Sequence, residues 1–529
     1  MTTRDRRPQS DGSPLPNPLE RARRSGQDAG PSAQPETQRR RQALLVVALL
    51  VTTALTHWVV RTSLANPVLG DDFRVADGLP ADRSASSGAV TFHGHLDRTA
   101  VLQGGDGVVS LELTLSAEDR HEQTVSTPTD LVVVLDRSGS MQGSKMVEAR
   151  RAVHALIDRL GASDRFALVS YSSDARVDVP LARPDGSDRG AWHRRVDTVE
   201  VGGGTNLSAG IDGALRLLGQ RQSGRVGRVL VVSDGLANAG DSSHEGLVGR
   251  AQTATRHELA MSTIGVGADF NEMLLTALAN AGTGNFYYLA EDQLGDGNGT
   301  QLASMLEGEL EAGRRSVAQA LAVHLSPAPG VRVLDVAGYP LETGPEGVVF
   351  RPGDLYGGQE RRVWVRLEVP HGVAGASDLG SFELSWREGE ELHQLALPDL
   401  PQIACVADPK TALAAIDGTV WERSVSEEGY GALQQEVSNY VREGRRAEAL
   451  ESIERFRDRV STLNETVASA EVEATLEQAV SLQVEVDDAF QGADQAAKQN
   501  LLSKKELAAA WDARRQGSKI ETPANDGNP

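Results

Sequence analysis

The sequence predicts an α/β chain in which a doubly wound parallel sheet lies between two segments of β-strands, with a helical domain after them and one transmembrane helix near the N-terminus. Three observations support this prediction. Short apolar runs between residues 130 and 300 alternate with segments of helical periodicity, as in repeated βα units. Runs of alternating apolar and polar residues flank this region on both sides. A long apolar run without acidic or strongly basic residues begins near residue 42.

The bulk composition narrows the classes of function. The chain has 529 residues, too many for one hydrophobic core. Its net charge of −21 argues against general nucleic-acid binding, which needs a basic surface. Cys405 is the one cysteine in the sequence, so neither an internal disulfide nor a zinc knuckle can form. We therefore expect several domains, no nucleic-acid partner and no stabilisation by disulfides.

The N-terminal segment predicts a disordered tail followed by a membrane anchor. Residues 1–41 are rich in Pro, Ser, Gly and Arg and poor in large apolar side chains, which is typical of disorder. Residues 42–60 predict a transmembrane helix, because such an apolar run rises about 27 Å as a helix. The arginines at 39–41 predict a cytoplasmic N-terminus in a single-pass cell-membrane protein, with the bulk periplasmic or extracellular. The alternative is a secreted protein, released by signal cleavage near Ala65.

The segments before and after the central region are both predicted to form β-strands. Residues 61–87 read as a linker, and residues 88–128 then alternate apolar and polar side chains. Four large side chains of this segment fall on one face: Val109, Leu111, Leu113 and Leu115. Residues 315–405 return to alternating runs separated by turn signals, which is typical of a β-sandwich. Residues 406–510 show helical periodicity, and residues 511–529 predict a flexible tail.

The central region carries buried strands, and the first of them ends in a cluster of oxygen-bearing side chains. Leu131–Leu135 is a continuous apolar run, typical of a strand buried on both faces, and Asp136, Ser138 and Ser140 follow it directly. In an open parallel sheet, ligands bind beyond the carboxyl ends of the strands, where the strand order reverses. We therefore expect one carboxylate and two hydroxyls to face a single point there.

Two further oxygen donors occupy equivalent positions. Thr205 follows the glycine-rich stretch Gly202–Gly204, just before a predicted helix, and Asp234 follows the apolar run Val229–Val232. The complete set is Asp136, Ser138, Ser140, Thr205 and Asp234. Hard oxygen donors suit Mg²⁺, with Mn²⁺ or Ca²⁺ as alternatives, and do not suit Zn²⁺. We expect these side chains at a loop surface, where truncation opens no cavity, around a metal that still accepts a carboxylate from a partner.

These motifs resemble the von Willebrand factor A family over about residues 129–305. Asp136-x-Ser138-x-Ser140, then Gly203-Gly-Thr205, then Ser233-Asp-Gly235 follow the order of that family's metal-ion-dependent adhesion site. The resemblance implies that both serines and the threonine bind the metal directly, and the two aspartates directly or through water. It also implies an antiparallel edge strand, which we place at 175–179.

The arrangement of strands around this region is similar to bacterial relatives of inter-α-trypsin inhibitor heavy chains and of calcium-activated chloride-channel regulators. That resemblance implies that residues 88–128 and 315–405 form one sandwich, into which the A-type domain is inserted.

The sequence predicts a binding protein and not an enzyme. Each His-Glu pair lacks the second histidine of a zinc protease, since Val125, Val248 and Met261 stand in its place. The hydrolase elbow and the phosphate-binding loop also fail at required positions. We expect an envelope adhesion or scaffold protein that grips a carboxylate on a protein ligand. The alternative is a regulatory or adaptor subunit of a membrane channel or an ATPase complex.

Overall fold

The computed structural model describes residues 81–119, 127–185, 188–219, 221–222, 224–294, 300–345 and 347–519. The predicted tail at 1–41 and the predicted transmembrane helix at 42–60 lie outside these residues. Within the described ranges, no helix is long and apolar enough to cross a membrane.

One sheet combines strands from before and after the central region. Its strands are β1 (Asp82–Ser87), β2 (Val90–Leu96), β4 (Val108–Ala117), β12 (Arg332–Val336) and β15 (Glu360–Glu368). They lie in the order β1-β2-β4-β15-β12. Strand β15 pairs antiparallel with β4, so that Val365 lies opposite Leu111 although more than 200 residues separate them in sequence. The four side chains of β4 predicted to share a face are all fully buried.

A second sheet packs against the first. Its strands are β11 (Ser316–Pro327), β13 (Glu342–Gly344), β14 (Gly347–Tyr356), β17 (Gly380–Glu388) and β18 (Glu391–Ala396), in the order β13-β14-β11-β17-β18. Inward side chains of both sheets form one hydrophobic core, with Phe92 from the first sheet and Phe350 from the second. A small third sheet holds β3 (Ala100–Leu102), β16 (Gly375–Ser377) and β19 (Ile403–Val406).

Strand β1 lies inside the segment read as a linker. Its sequence, Asp-Arg-Ser-Ala-Ser-Ser, has no apolar alternation, so nothing local indicates a strand. It is an edge strand held by antiparallel pairing to β2, for example Ala85 opposite Phe92. Pairing to a partner strand, and not burial of its own side chains, therefore decides its conformation.

The central region forms a six-stranded mixed sheet. Its strands are β5 (Thr129–Asp136), β6 (Arg165–Tyr171), β7 (Ala175–Ala182), β8 (Val226–Ser233), β9 (Leu259–Val266) and β10 (Thr283–Leu289), in the order β10-β9-β8-β5-β6-β7. All neighbouring pairs are parallel except β6 with β7, which is antiparallel at the sheet edge. All side chains of β5 and β8 are buried, as expected where helices cover both faces.

Helices cover both faces of this sheet. One face packs against α1 (Ser144–Arg159), α2 (Asp188–Asp197) and α6 (Thr300–Arg314). The other packs against α3 (Leu207–Leu218), α4 (His244–Arg256) and α5 (Glu272–Ala281). Short 3₁₀ turns occur at Gly139–Met141 and Glu291–Gln293. This is the doubly wound α/β arrangement that the sequence predicts.

The C-terminal region is helical. It comprises α7 (Pro409–Ala414), α8 (Gly418–Arg423), a π-helical turn at Ser424–Gly429, α9 (Tyr430–Arg442), α10 (Arg446–Val467), α11 (Ala470–Ala489) and α12 (Gln495–Arg514). Helix α12 packs against the six-stranded sheet domain: the buried Lys504 ammonium donates to the Phe270 carbonyl at 2.7 Å and to Glu272 at 2.5 Å. Ile453, Phe456 and Val460 of α10 are buried at spacings of three and four, in agreement with the helical periodicity predicted for residues 406–510.

The predicted flexible tail begins too early at residue 511. Helix α12 continues to Arg514, and beyond it the Ser518 carbonyl accepts from Asn285 and the Lys519 ammonium lies over the Tyr287 ring. Trp511 is buried against Phe286 of β10, and the Arg515 guanidinium donates to the Gly338 carbonyl at 2.7 Å. This segment looks polar in sequence, but cation–π and carbonyl contacts from other domains hold its arginine in place.

Candidate metal centre

The predicted site lies at the point where the strand order of the six-stranded sheet reverses. From β5, the chain continues to β6 on one side, and β8 lies on the other side. Asp136 is the last residue of β5, and Asp234 directly follows β8. Because the two strands are adjacent and parallel, their carboxyl ends bring these two carboxylates to one edge of the sheet.

The hydroxyls and one of the carboxylates form a connected group. Ser138 Oγ lies 3.0 Å from Ser140 Oγ, and Ser140 Oγ donates to Asp234 Oδ1 at 2.8 Å. The Thr205 hydroxyl lies near the same point, because a Cβ placed on Gly235 would lie 3.3 Å from Ser140 Oγ and 3.7 Å from Thr205 Oγ1. The structure therefore brings all three predicted hydroxyls to the same place as the Asp234 carboxylate.

Asp136 is a buried carboxylate, and both of its oxygens accept hydrogen bonds from neighbouring residues. Its Oδ1 accepts from the Ser138 amide at 2.8 Å, and its Oδ2 accepts from Ser233 Oγ at 2.9 Å and Tyr171 OH at 3.2 Å. Burial raises the pKa of this carboxyl, and the Asp234 charge adds to that shift against the lowering effect of the hydrogen bonds. Burial, together with the Asp136 charge, raises the pKa of Tyr171 well above its ordinary value, so its hydroxyl stays a donor.

Hydrogen bonds donated by its backbone amides hold the loop that carries Thr205. The Gly202 amide donates to the Arg137 carbonyl at 2.8 Å, and the Thr205 amide donates to Asn238 Oδ1 at 2.8 Å. Gly203 has a φ of +87°, a conformation that side-chain-bearing residues rarely adopt. The glycine-rich sequence thus turns the threonine hydroxyl toward the two serines.

The site is less open than the sequence suggests. Asp136, Ser138, Thr205 and Asp234 are buried, and only Ser140 is exposed. The expectation of a freely truncatable loop surface is therefore wrong for the aspartates. Removing the Asp136 carboxylate would leave buried donors without an acceptor, which costs about 1–3 kcal/mol for each such group.

Sequence reasoning assigned no role to three residues of the site. Lys145 Nζ lies 2.7 Å from Asp234 Oδ2, with its side chain only 12% exposed, so an internal cation already sits on that carboxylate. Ser233 and Tyr171 hold Asp136. Ser233 is the last residue of β8 and Tyr171 is the last residue of β6. Because ligands bind at the carboxyl ends of parallel strands, these positions could have indicated both residues from the sequence. Lys145, in the first turn of α1, gave no such signal.

The donor set fits a hard divalent cation. It offers two carboxylates and three hydroxyls, all oxygen, which is the chemistry that Mg²⁺, Mn²⁺ and Ca²⁺ prefer. Across the described ranges, no group of three or more His, Cys, Asp or Glu side chains could hold a metal ion. Hydroxyls would therefore have to supply part of the coordination, and the Lys145 ammonium would compete with an entering cation for the Asp234 carboxylate.

Comparison with known proteins supports the fold of the central region. The family model for the von Willebrand factor type A domain matches residues 130–296. The chain is 26% identical over 182 residues to the uncharacterized protein YfbK of Escherichia coli, covering 34% of this chain and 31% of that protein. It is 26% identical over 174 residues to inter-alpha-trypsin inhibitor heavy chain H4 of Bos taurus, covering 31% of this chain and 19% of that protein. The chain thus spans less than a third of either relative.

Two solved structures share the fold over most of the chain. A von Willebrand factor type A protein from Catenulispora acidiphila superposes with a TM-score of 0.58 at 16% identity, covering 85% of this chain and 99% of that one. The ArnB paralog VWA2 from Sulfolobus acidocaldarius superposes with a TM-score of 0.50 at 18% identity, covering 82% of this chain and all of that one. At these identities the likeness concerns the fold alone.

Proposed function

Because residues 130–296 form a von Willebrand factor type A domain, we propose that this chain is a non-enzymatic adhesion or scaffold protein that grips a carboxylate of a protein ligand through a bound Mg²⁺. The observation that carries the proposal is the connected oxygen group of Ser138, Ser140 and Asp234, with Thr205 beside it, at the reversal point of the sheet. The domain supplies the general capacity for protein binding; the metal and the ligand class are our inference from the donor set.

Each residue has a distinct part in the proposed site. Ser138, Ser140 and Thr205 would hold the cation, and Asp234 would hold it directly or through water. The Asp136 carboxylate accepts from the Ser138 amide, so it would orient the Ser138 backbone and attract the cation electrostatically. The bound metal supplies an electrophilic position for an incoming carboxylate, because two protein charges only just balance its own. Exposure of Ser140 leaves that side of the site accessible.

Ligand capture should depend on the metal. We expect the full chain, immobilised in detergent, to retain a partner from an envelope extract in Mg²⁺ and to release it in EDTA. Asp234→Asn should abolish retention. Asp212→Asn is the matched control, because that carboxylate pairs with Arg250 and takes no part in the site. Retention that survives both EDTA and Asp234→Asn would contradict metal-mediated capture of a carboxylate.

We place the type A domain outside the cytoplasm, anchored by the helix predicted at residues 42–60, as an expectation from the arginines before it. Protease added to intact spheroplasts of an expressing bacterium should digest the type A domain and spare an epitope tag placed at the N-terminus. A protected type A domain would reverse the topology and favour the adaptor subunit of a cytoplasmic ATPase complex. Release of the chain into the medium would instead favour cleavage near Ala65.

A further inference from the structure

One loop of the type A domain touches both the metal centre and the C-terminal helix α12. The loop comprises residues 267–271 and joins β9 to α5. Strand β9 is the parallel neighbour of β8, so both strands end at the sheet edge that carries the metal centre. The loop contacts Lys145 beside the metal centre and two residues of α12. It therefore connects the candidate site with the helical region.

Gly267, the first residue of this loop, lies against Lys145. A Cβ placed on Gly267 would lie 3.0 Å from Lys145 Cε and 3.3 Å from Lys145 Nζ. The same Nζ lies 2.7 Å from Asp234 Oδ2. Gly267 has a φ of +76°, and its amide donates to the Leu289 carbonyl at 2.8 Å. The loop backbone and the end of the lysine side chain are thus in close contact, and the position of Gly267 limits where the ammonium can lie.

Helix α12 holds the following residues of the loop by two of their backbone carbonyls. Asn500 Nδ2 donates to the Ala268 carbonyl at 2.7 Å, and Lys504 Nζ donates to the Phe270 carbonyl at 2.7 Å. Lys504 is only 2% exposed, pairs with Glu272 at 2.5 Å and lies 4.3 Å from the centroid of the Phe270 ring. Because two of its five residues are bonded to α12, the loop moves together with that helix.

The C-terminal half of α12 has a separate attachment to the type A domain. Trp511 packs against Phe286 of β10, and the Arg515 guanidinium, just after the helix, donates to the Gly284 carbonyl at 3.3 Å. These contacts do not involve the loop. Loss of the Asn500 bond therefore loosens the loop while the rest of the helix stays in place.

We propose that α12 regulates the candidate metal centre by holding this loop. With the loop held, the Gly267 backbone keeps the Lys145 ammonium on Asp234, where it opposes the entry of a cation. Release of the loop gives the lysine room to leave and raises the metal affinity. The inference rests on the proposed Mg²⁺ site, and Asn500 and Lys504 are positioning residues, because their side chains bond to the loop and to α5. A partner of the C-terminal helices would change the metal affinity only if it distinguishes held from released loop.

The test measures the Mg²⁺ affinity of the full chain in detergent by calorimetry. Asn500→Ala should raise the affinity several-fold, but should have no further effect in a Lys145→Met background, because the loop acts through that lysine. Lys504→Met should raise the affinity more. Lys505→Met is the matched control, since it removes the same charge from the next residue, which pairs with Glu485. A purely structural role of Asn500 would leave the affinity unchanged, or change it equally in both backgrounds, and either result would overturn the proposal.

A second measurement, in EDTA, separates this proposal from the metal site on which it rests. Thermal unfolding of the metal-free chain compares Asn500→Ala, Lys145→Met and the double variant. Residues of one contact network give non-additive losses, whereas independent residues add. We expect the double variant to lose less Tm than the sum of the two single variants, and additive losses would refute the coupling. Absence of Mg²⁺ binding in every variant, with non-additive losses in EDTA, would refute the metal centre and leave the coupling intact. If Lys504→Met fails to fold, Asn500→Ala decides.

Discussion

Replacing Asp234 with asparagine should lower the Mg²⁺ affinity of the full chain by at least about 100-fold, since losing even an outer-shell partner of a metal ligand costs about 10–100-fold. Asp234 is fully buried and accepts from Ser140, so the neutral amide removes charge at the centre of the oxygen group while keeping its shape. Calorimetric titration of Mg²⁺ measures the effect. Thr205→Ala should act in the same direction, but less strongly, because it removes a neutral donor.

Lys145→Met should have the opposite effect. In the metal-free protein the Lys145 ammonium, 2.7 Å from Asp234 Oδ2, competes with any entering cation. Removing it should raise Mg²⁺ affinity several-fold, because no internal cation then competes for the Asp234 carboxylate. Arg151→Met on the same helix is the control, since its guanidinium pairs with Glu148. Unchanged affinity in both Asp234→Asn and Lys145→Met would refute the assignment of the site.

Replacing Glu309 with alanine should destabilise the type A domain by about 3–5 kcal/mol, the usual effect of removing one partner of a buried ion pair. Glu309, on α6, is 1% exposed and accepts from Arg228 at 2.6 Å, Tyr287 at 2.7 Å and Asn285 at 2.9 Å. Burial alone would lower the pKa of Arg228, but Glu309 and Asp354 raise it overall. Without Glu309, the buried guanidinium keeps only Asp354, at 3.6 Å.

Glu307→Ala provides the comparison on the same helix. Glu307 pairs with the exposed Arg159 at 3.4 Å, and such surface pairs contribute about 0–1 kcal/mol. Urea unfolding of both variants, followed by circular dichroism, gives the two changes in the free energy of unfolding. Equal, small losses would show that the Glu309 cluster does not hold α6 to the sheet.

Several elements could be predicted because their local sequence already carries the physical constraint. A strand buried on both faces must be continuously apolar, which identifies β5 and β8. A strand with one buried face must alternate, which identifies β4. The oxygen donors of the metal centre could be predicted for a related reason: parallel strands end at one edge, so Asp136 and Asp234 had to converge.

Elements held by distant partners could not be predicted in this way. Strand β1 has no apolar pattern, and its extended conformation depends on antiparallel backbone pairing with β2. Lys145 lies in the first turn of α1, and nothing in the local sequence indicates its contact with Asp234. Trp511 and Arg515 were assigned to a flexible tail, yet they are buried among residues of two other domains.

The sequence by itself determined the α/β class of the central region, its buried strands β5 and β8, and the choice of the five candidate oxygen donors of the metal centre. Each of these follows from interactions between near neighbours or from a periodicity along one element. Only the tertiary structure decided the burial of the aspartates, the lysine that neutralises one of them, and the burial of Arg515 against Tyr339 and Trp511. Those features arise where α1 and α12 pack against strands far away in sequence, and the energy of a buried charge depends on whatever the fold places around it.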